Sequence, residues 1–401
     1  MSTFEVKVVK IFIFEHPNAD ALEIGRIGDP DGFQVVVKKG LYKTGDLVVY
    51  VPENSVVPEW VLKKYLFWSE EKGKGMLAGS KGDRVKMVKL RDVPSLGICI
   101  PVKEVSLGWD DDEKIVRSAF ELENEYVDEG DDVAEVLGIT KYEPPIPVSM
   151  SGEVFNAGQD VGVNYDIEDL AKYPHVLTEG EEVQVTSKLH GTNCQVTAVA
   201  GSGIQRDNID QWMSVGSARL TVGSKGLGAQ GLFFKDNEAN VGNLYLKGTR
   251  QYHEAIAKYA SEVYVAFDTA CITVVGEVFG GSVQSGFDYG IREPEFRVFD
   301  VYIGYRGRGY WLDDDQLDIF CQVTGIPRVP LVYRGAYSKD LVTKLANDPE
   351  TGFPSKVIKH VREGVVIKPV KERYVPDLGR VAVKTRSVAY MTRKGDHTDY
   401  N

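Results

Sequence analysis

Lys188-Leu189-His190-Gly191-Thr192-Asn193 lies between two runs that read as strands, Glu182–Lys188 and Cys194–Val199. A strand that ends on a lysine and turns at a glycine leaves its last side chains at a sheet edge or in a cleft. Gly191 lets the backbone approach a ligand closely, because no Cβ stands in the way. Lys188 in that setting has two chemical uses, as a nucleophile or as a phosphate contact. Taken alone, a lysine at a strand end is more often structural.

Further along the chain, Ile272–Val278, Phe296–Ile303, Gly364–Lys368 and Arg380–Lys384 also read as strands. Several are apolar on both faces, as expected of buried strands. Tyr252–Tyr264, Asp313–Thr324 and Ser338–Asn347 carry apolar residues at helical spacing. Four of the strands bring chemistry to their ends. Gly276-Glu277-Val278-Phe279-Gly280-Gly281 sets a carboxylate beside glycines. Phe296-Arg297-Val298-Phe299-Asp300 alternates Phe296 and Val298 against Arg297 and Phe299. Glu363-Gly364-Val365-Val366-Ile367-Lys368-Pro369 opens on an acid and closes on a lysine, and a carboxylate so placed suits a hard metal. In Val383-Lys384-Thr385-Arg386-Ser387 the two cations project on one face. Each feature also has a plain packing explanation.

Upstream, residues 1–105 read as all-β. Phe4–Phe14, Gly32–Lys38, Asp46–Val51, Arg84–Leu90 and Gly97–Val102 are short strands punctuated by Gly, Pro and Asp. Five strands in about 100 residues fit an OB-like barrel. Arg84, Lys86 and Lys89 would give its fourth strand a nucleic-acid-binding character. His16-Pro17-Asn18-Ala19-Asp20-Ala21-Leu22-Glu23 resembles a phrase of OB-fold tRNA-binding modules. Trp60, Tyr65, Phe67 and Trp68 cluster in sequence and are expected in the core. Residues 106–147 read as an acidic linker with a short helix at Val133–Leu137, and residues 148–401 as the second domain.

Of the 401 residues, 43% are hydrophobic and 26% charged, the composition of a soluble globular chain. No apolar run approaches a membrane span, and Met1–Lys10 lacks the apolar core of a signal peptide. Cys99, Cys194, Cys271 and Cys321 form no close pair, so neither zinc nor disulfides are expected and a cytoplasmic setting fits. Net charge is −12, which argues weakly against a polyanionic partner. Basic residues nevertheless gather at Lys81–Arg91 and Lys384–Arg393, and local clusters decide where a polyanion lies.

The ordered set KLHGTN, GEVFGG, FRVFD, EGVVIKP and AVKTRS resembles motifs I, III, IIIa, IV and V of the covalent nucleotidyltransferases. These comprise DNA ligases, RNA ligases and mRNA capping enzymes. His190 and EGVVIKP resemble nick-sealing RNA ligases, and the N-terminal module with Leu137–Pro145 is similar to the Deinococcus/Naegleria-type group. The resemblance implies an α+β fold: an antiparallel-sheet nucleotidyltransferase (ATP-grasp-like ligase) domain preceded by a small all-β OB-like barrel. It also implies an ATP-dependent RNA ligase acting through lysyl-AMP, with nicked duplex RNA, broken RNA or an RNA/DNA hybrid as its partner.

By the same resemblance Lys188 carries AMP, and His190 stands in the place of the motif I Asp or His. Asn193 contacts ribose or the nick, and Lys225 is the basic residue of motif Ia. Glu277 and Glu363 are the carboxylates of motifs III and IV and the expected ligands of Mg²⁺ or Mn²⁺. Phe299 stacks on adenine, and Leu189, Lys368 and Lys384 complete the ATP contacts. Lys368, Lys384 and Arg386 would lower the pKa of Lys188. Arg386 departs from the usual second lysine of motif V. Ser187 stands where some relatives carry a base-contacting Glu. A monomer active in RNA repair is expected, with no membrane association. A DNA ligase or GTP-using capping enzyme is the alternative, and a non-catalytic RNA-binding protein with a ligase-like fold is a third reading.

Overall fold

The computed structural model describes residues 4–110, 113–119, 126–142, 147–201, 206–267, 271–281, 283–354, 358 and 360–393. The N-terminal module is built on a five-stranded antiparallel sheet of β1 (Lys7–Glu15), β2 (Leu22–Ile27), β3 (Phe33–Lys38), β4 (Leu47–Val51) and β5 (Ile98–Pro101), in the order β5-β4-β1-β2-β3. Side chains alternate across it. In β4, Val48 and Tyr50 pack with Ile11, Val35 and Val37, while Val49 and Val51 pack with Val6, Val8 and Ile100. Both faces are therefore covered, which is why β4 is apolar at every position.

Two expectations fail here. The fifth strand is Leu22–Ile27, not Arg84–Leu90. Only Val88–Leu90 is extended, and it pairs with Val93–Ser95 across a tight turn in which Arg91 and Asp92 both have positive φ. His16 and Asn18 bond the carbonyls of Leu90 and Arg91, so the His16–Glu23 phrase anchors this hairpin. The expected acidic linker is also built into the module. Lys103–Asp110 and Glu113–Ala119 form an antiparallel hairpin, and Val127, Val133, Leu137 and Ile139 join the core around Val6 and Val49. Tyr65, Phe67 and Trp68 pack against the same core, as expected, but Trp60 is exposed, on the outer face of a short helix.

The C-terminal domain has two sheets. Its strands are β6 (Val154–Asn156), β7 (Glu182–Lys188), β8 (Thr192–Ala200), β9 (Ala218–Ser224), β10 (Leu232–Phe234), β11 (Cys271–Phe279), β12 (Glu295–Tyr305), β13 (Arg308–Trp311), β14 (Leu331–Ala336), β15 (Gly364–Pro369) and β16 (Val383–Arg386). The eight-stranded sheet runs β6-β10-β9-β8-β11-β12-β13, with Met213–Val215 added beside β9. The five-stranded sheet sets β16, β15, β7 and β14 in order after Glu168–Asp169. Helix α1 (His253–Phe267) covers the larger sheet through Ile256, Ala257 and Ala260. Helix α2 (Asp314–Thr324) begins one residue later than the apolar pattern predicts, because Asp313 caps it: Gln316 N donates to Asp313 Oδ1, and Asp313 N donates to Gln316 Oε1. Helix α3 (Lys339–Asn347) packs Val342 and Ala346 on the smaller sheet.

Asp300 of β12 joins the two sheets. Its carboxylate accepts from Lys368 Nζ of β15 at 2.7 Å, from Arg380 at 2.8 and 3.0 Å, and from the Tyr165 hydroxyl. Burial would raise its pKa, but Arg380 and Lys368 hold it below the usual range. Asp300→Asn should cost about 3–5 kcal/mol, because interior Lys368 loses its counter-charge and Arg380 keeps only Glu372. The stabilisation is fully present above about pH 4 and is lost in stronger acid, since the folded pKa is depressed. Denaturant unfolding at pH 7 and pH 3 checks this: the gap between variant and wild type must shrink at pH 3.

Candidate functional site

After Lys188 the chain leaves the smaller sheet, turns through Leu189-His190-Gly191, and enters the larger one as β8. A Cβ on residue 191 would sit 2.2 Å from the Val278 carbonyl oxygen and 2.9 Å from Phe279 Cβ, so only glycine fits this crossing. The crossing places Lys188 between the sheets. Register then fixes its neighbours: Lys188 lies opposite Gly364, next to Glu363, and Asn193 lies opposite Glu277.

A cavity of about 720 Å³ opens there, lined by Ser187, Lys188, Leu189, Asn193, Lys225, Glu277, Phe299, Val366, Glu363, Lys368, Lys384 and Arg386, among others. It thus gathers every expected ATP-binding residue. Phe299 and Val366 are half-buried positions in otherwise mostly buried strands, and both face this space. Val366 was not singled out in the sequence, although strand alternation puts it on the same face as Lys368.

Lys188 Nζ is paired with Glu363 Oε1. His190 Nδ1 lies 2.9 Å from Glu363 Oε2 and 3.1 Å from the Tyr390 hydroxyl, and its ring is edge-on to Phe287. His190 is a buried brace behind Glu363, set back from the cavity wall. Burial works to raise the Glu363 carboxyl, but Lys188 and His190 hold it down at about 2. Glu277 goes the other way. Burial pushes it up to about 8, with Glu363 adding to the rise and Lys188 opposing it. Asn193 Oδ1 is buried without a hydrogen-bond partner, an acceptor that costs about 1–3 kcal/mol until a donor arrives.

The three expected activating cations differ. Lys368 donates to Asp300 and to the Phe299 carbonyl at 3.0 Å, so its charge is already compensated, and it serves the join between sheets. Arg386 pairs with Glu53 at 2.7 Å and Asp169 at 3.7 Å. Lys384 makes no hydrogen bond or ion pair among the described residues. Burial, then Arg386 and Lys188, lowers it to about 8. Lys225 pairs with Asp166 at 2.7 Å.

Arg84, Lys86 and Lys89 do not form a common basic face. Arg84 is buried, bonded to Asn54 at 2.7 Å and stacked on Tyr142, because the segment around it is not a sheet strand. Lys86 is half-buried, and Lys89 is exposed on the Val88–Ser95 hairpin. Sequence reading also missed Glu350, Glu53 and Asp169. Glu350 accepts from the Ser187 hydroxyl at 2.5 Å from a loop 163 positions away, and no local pattern marks it. Among the described residues no three His, Cys, Asp or Glu side chains group as a metal cage.

An RNA ligase family model matches residues 181–386, and an OB-fold domain model matches residues 5–102. No curated protein matches the chain. Among solved structures, a Naegleria gruberi RNA ligase mutant with AMP and Mn is similar at 21% identity and a TM-score of 0.65, over 97% of this chain and 98% of that one. The same ligase with PPi is similar at 22% identity and a TM-score of 0.64, over 97% and 98%. A further mutant with ATP and Mn gives 21%, 0.65, 97% and 98%.

Glu277→Gln tests the electrostatics of this cavity. A carboxyl whose folded pKa is raised from 4.5 to about 8 lowers stability increasingly as pH rises between those values. The variant should melt with wild type near pH 4.5 and above it at pH 8. A variant melting at or below wild type at pH 8 would refute the assignment.

Proposed function

The chain belongs to the RNA ligase family, and on that premise we propose that it seals 3′-hydroxyl to 5′-phosphate ends of RNA through AMP carried on Lys188. The observation that carries this reading is the convergence of Lys188, Glu363, Glu277, Asn193, Phe299 and Lys384 on one cavity between two sheets. Adenine fits between the Phe299 ring and Val366. The unpartnered Asn193 Oδ1 suits a ribose hydroxyl. Lys384, with no hydrogen bond or ion pair among the described residues, lines the cavity in position to meet phosphate.

In this arrangement Lys188 is an ammonium held by Glu363, and such an amine is no nucleophile. Attack requires that the pair loosen and that Nζ lose a proton. Nζ then bonds to the α-phosphorus of ATP as the bond to the β-phosphate oxygen breaks and pyrophosphate leaves. An RNA 5′-phosphate oxygen next takes the adenylyl group from Nζ, and a 3′-hydroxyl displaces AMP to form the phosphodiester. Each step relies on positioning and charge neutralisation.

Glu277 and Glu363 are carboxylates on one cavity, a donor set that fits a hard cation taking one or two protein ligands and the rest of its shell from phosphate and water. Mg²⁺ or Mn²⁺ held there would neutralise phosphate charge.

The test is incubation with α-labelled ATP and Mg²⁺, beside Lys188→Ala and Lys384→Ala. Wild type should retain label after denaturation and Lys188→Ala should retain none. Lys384→Ala should label about a hundredfold more slowly, as for loss of one preorganised charge contact. Nicked RNA and DNA duplexes offered to the labelled enzyme then fix the strand preference, and α-labelled GTP separates the capping alternative. Label on Lys188→Ala equal to wild type would overturn the proposal.

A further inference from the structure

Among the described residues, four acid–base pairs cross the seam between the two modules, and all four have the same polarity. Glu5 pairs with Lys172 at 3.7 Å, Asp29 with His175 at 2.7 Å, Asp31 with Lys339, and Glu53 with Arg386 at 2.7 Å. In each, the carboxylate belongs to the N-terminal module and the base to the catalytic domain. The cavity that holds Lys188 continues to this seam, where Glu5, Asp29, Glu53, Lys172, His175 and Arg386 line it.

A row of carboxylates seated on a row of bases has the charge pattern of a phosphate chain on a protein. The contacts are also displaceable. His175 and Asp31 are 78% and 61% exposed as side chains, and exposed pairs hold weakly. A polynucleotide offers the bases a denser row of anions and gains free energy from counterion release. Its end must reach Lys188, and the seam lies on the way in.

We propose that Lys172, His175, Lys339 and Arg386 form the landing surface for the substrate's phosphodiester backbone, and that the acidic edge of the N-terminal module imitates that backbone until RNA displaces it. This rests on the ligase reading. RNA and the module's acidic edge then compete for one surface, so each weakens the other.

The experiment uses the full-length protein, a fluorescent nicked RNA duplex and fixed salt. Titrations compare wild type, Asp29→Asn/Asp31→Asn/Glu53→Gln, and Lys172→Ala/Lys339→Ala. Removing the acids should tighten RNA binding about tenfold, within the usual range of coupling between sites. It should also steepen the fall of affinity with salt, since carboxylates no longer replace the lost phosphate at the freed bases. Removing the two lysines should weaken binding severalfold. Unchanged or weaker binding by the acid variant overturns the proposal, as does unchanged binding by the lysine variant. Thermal melts identify any variant that fails to fold; the wild-type protein and single substitution Asp31→Asn, at an exposed site, then decide the direction. Labelling with α-labelled ATP is run on the same samples. Labelled wild type with unaltered RNA affinities sinks only the backbone imitation, whereas absent labelling sinks the ligase reading itself.

Discussion

The chain can pass from the five-stranded sheet to the eight-stranded sheet only because residue 191 has no side chain. Everything chemical follows from that crossing. It fixes Lys188 at the last position of one sheet and Asn193 near the first position of the other. Antiparallel register then brings Gly364, and with it Glu363, beside Lys188, and sets Glu277 opposite Asn193. A Cβ at 191 would press on the backbone of Val278 and on Phe279, so relief would have to come from β11, the strand that presents Glu277. One steric constraint therefore controls both carboxylates and the lysine together.

Within the cavity, similar groups are driven to opposite protonation states. Glu363 touches Lys188 and His190 and stays ionised, while Glu277 is buried with weaker compensation and holds its proton to about pH 8. The two carboxyls are thus driven apart, which limits repulsion between them. Lys384 is destabilised as a cation by burial and by Arg386 and Lys188, so its charge strengthens when anionic phosphate enters. The site therefore favours an anion beside Lys384.

Much of this was legible in the sequence, and the remainder was not for identifiable reasons. The strands around Lys188, Glu277, Phe299, Glu363 and Lys384 were readable because each is a short apolar run with its chemistry at an end. The cavity does bring those residues together. The partners of Lys368 and His190 were not legible, because spacing gives a face and not a partner. Asp300 captures Lys368 from another sheet, and Glu363 captures His190 across 173 positions. Arg84 was misread for a related reason. Its alternation with Lys86 looks like a strand face, yet the sheet takes Leu22–Ile27 as its additional strand and leaves Arg84 inside, on Asn54 and Tyr142. The stretch after residue 105 read as a linker because acidic runs flank its hairpin, whereas the few apolar residues that follow, Val127, Val133, Leu137 and Ile139, tie it to the core.

Net charge misleads for the same reason that it matters. A chain at −12 is a poor polyanion binder only if its acids are spread evenly. Here some of them are used against the chain's own bases at the mouth of the cleft. Each such pair offsets one cation against one anion, so the excess of acid says little about the local charge at the cleft. Arg386 shows the consequence most directly. It lies two residues from Lys384 in β16, lines the cavity, and is simultaneously held by Glu53 of the other module, so one guanidinium links the N-terminal module to the charge beside Lys384.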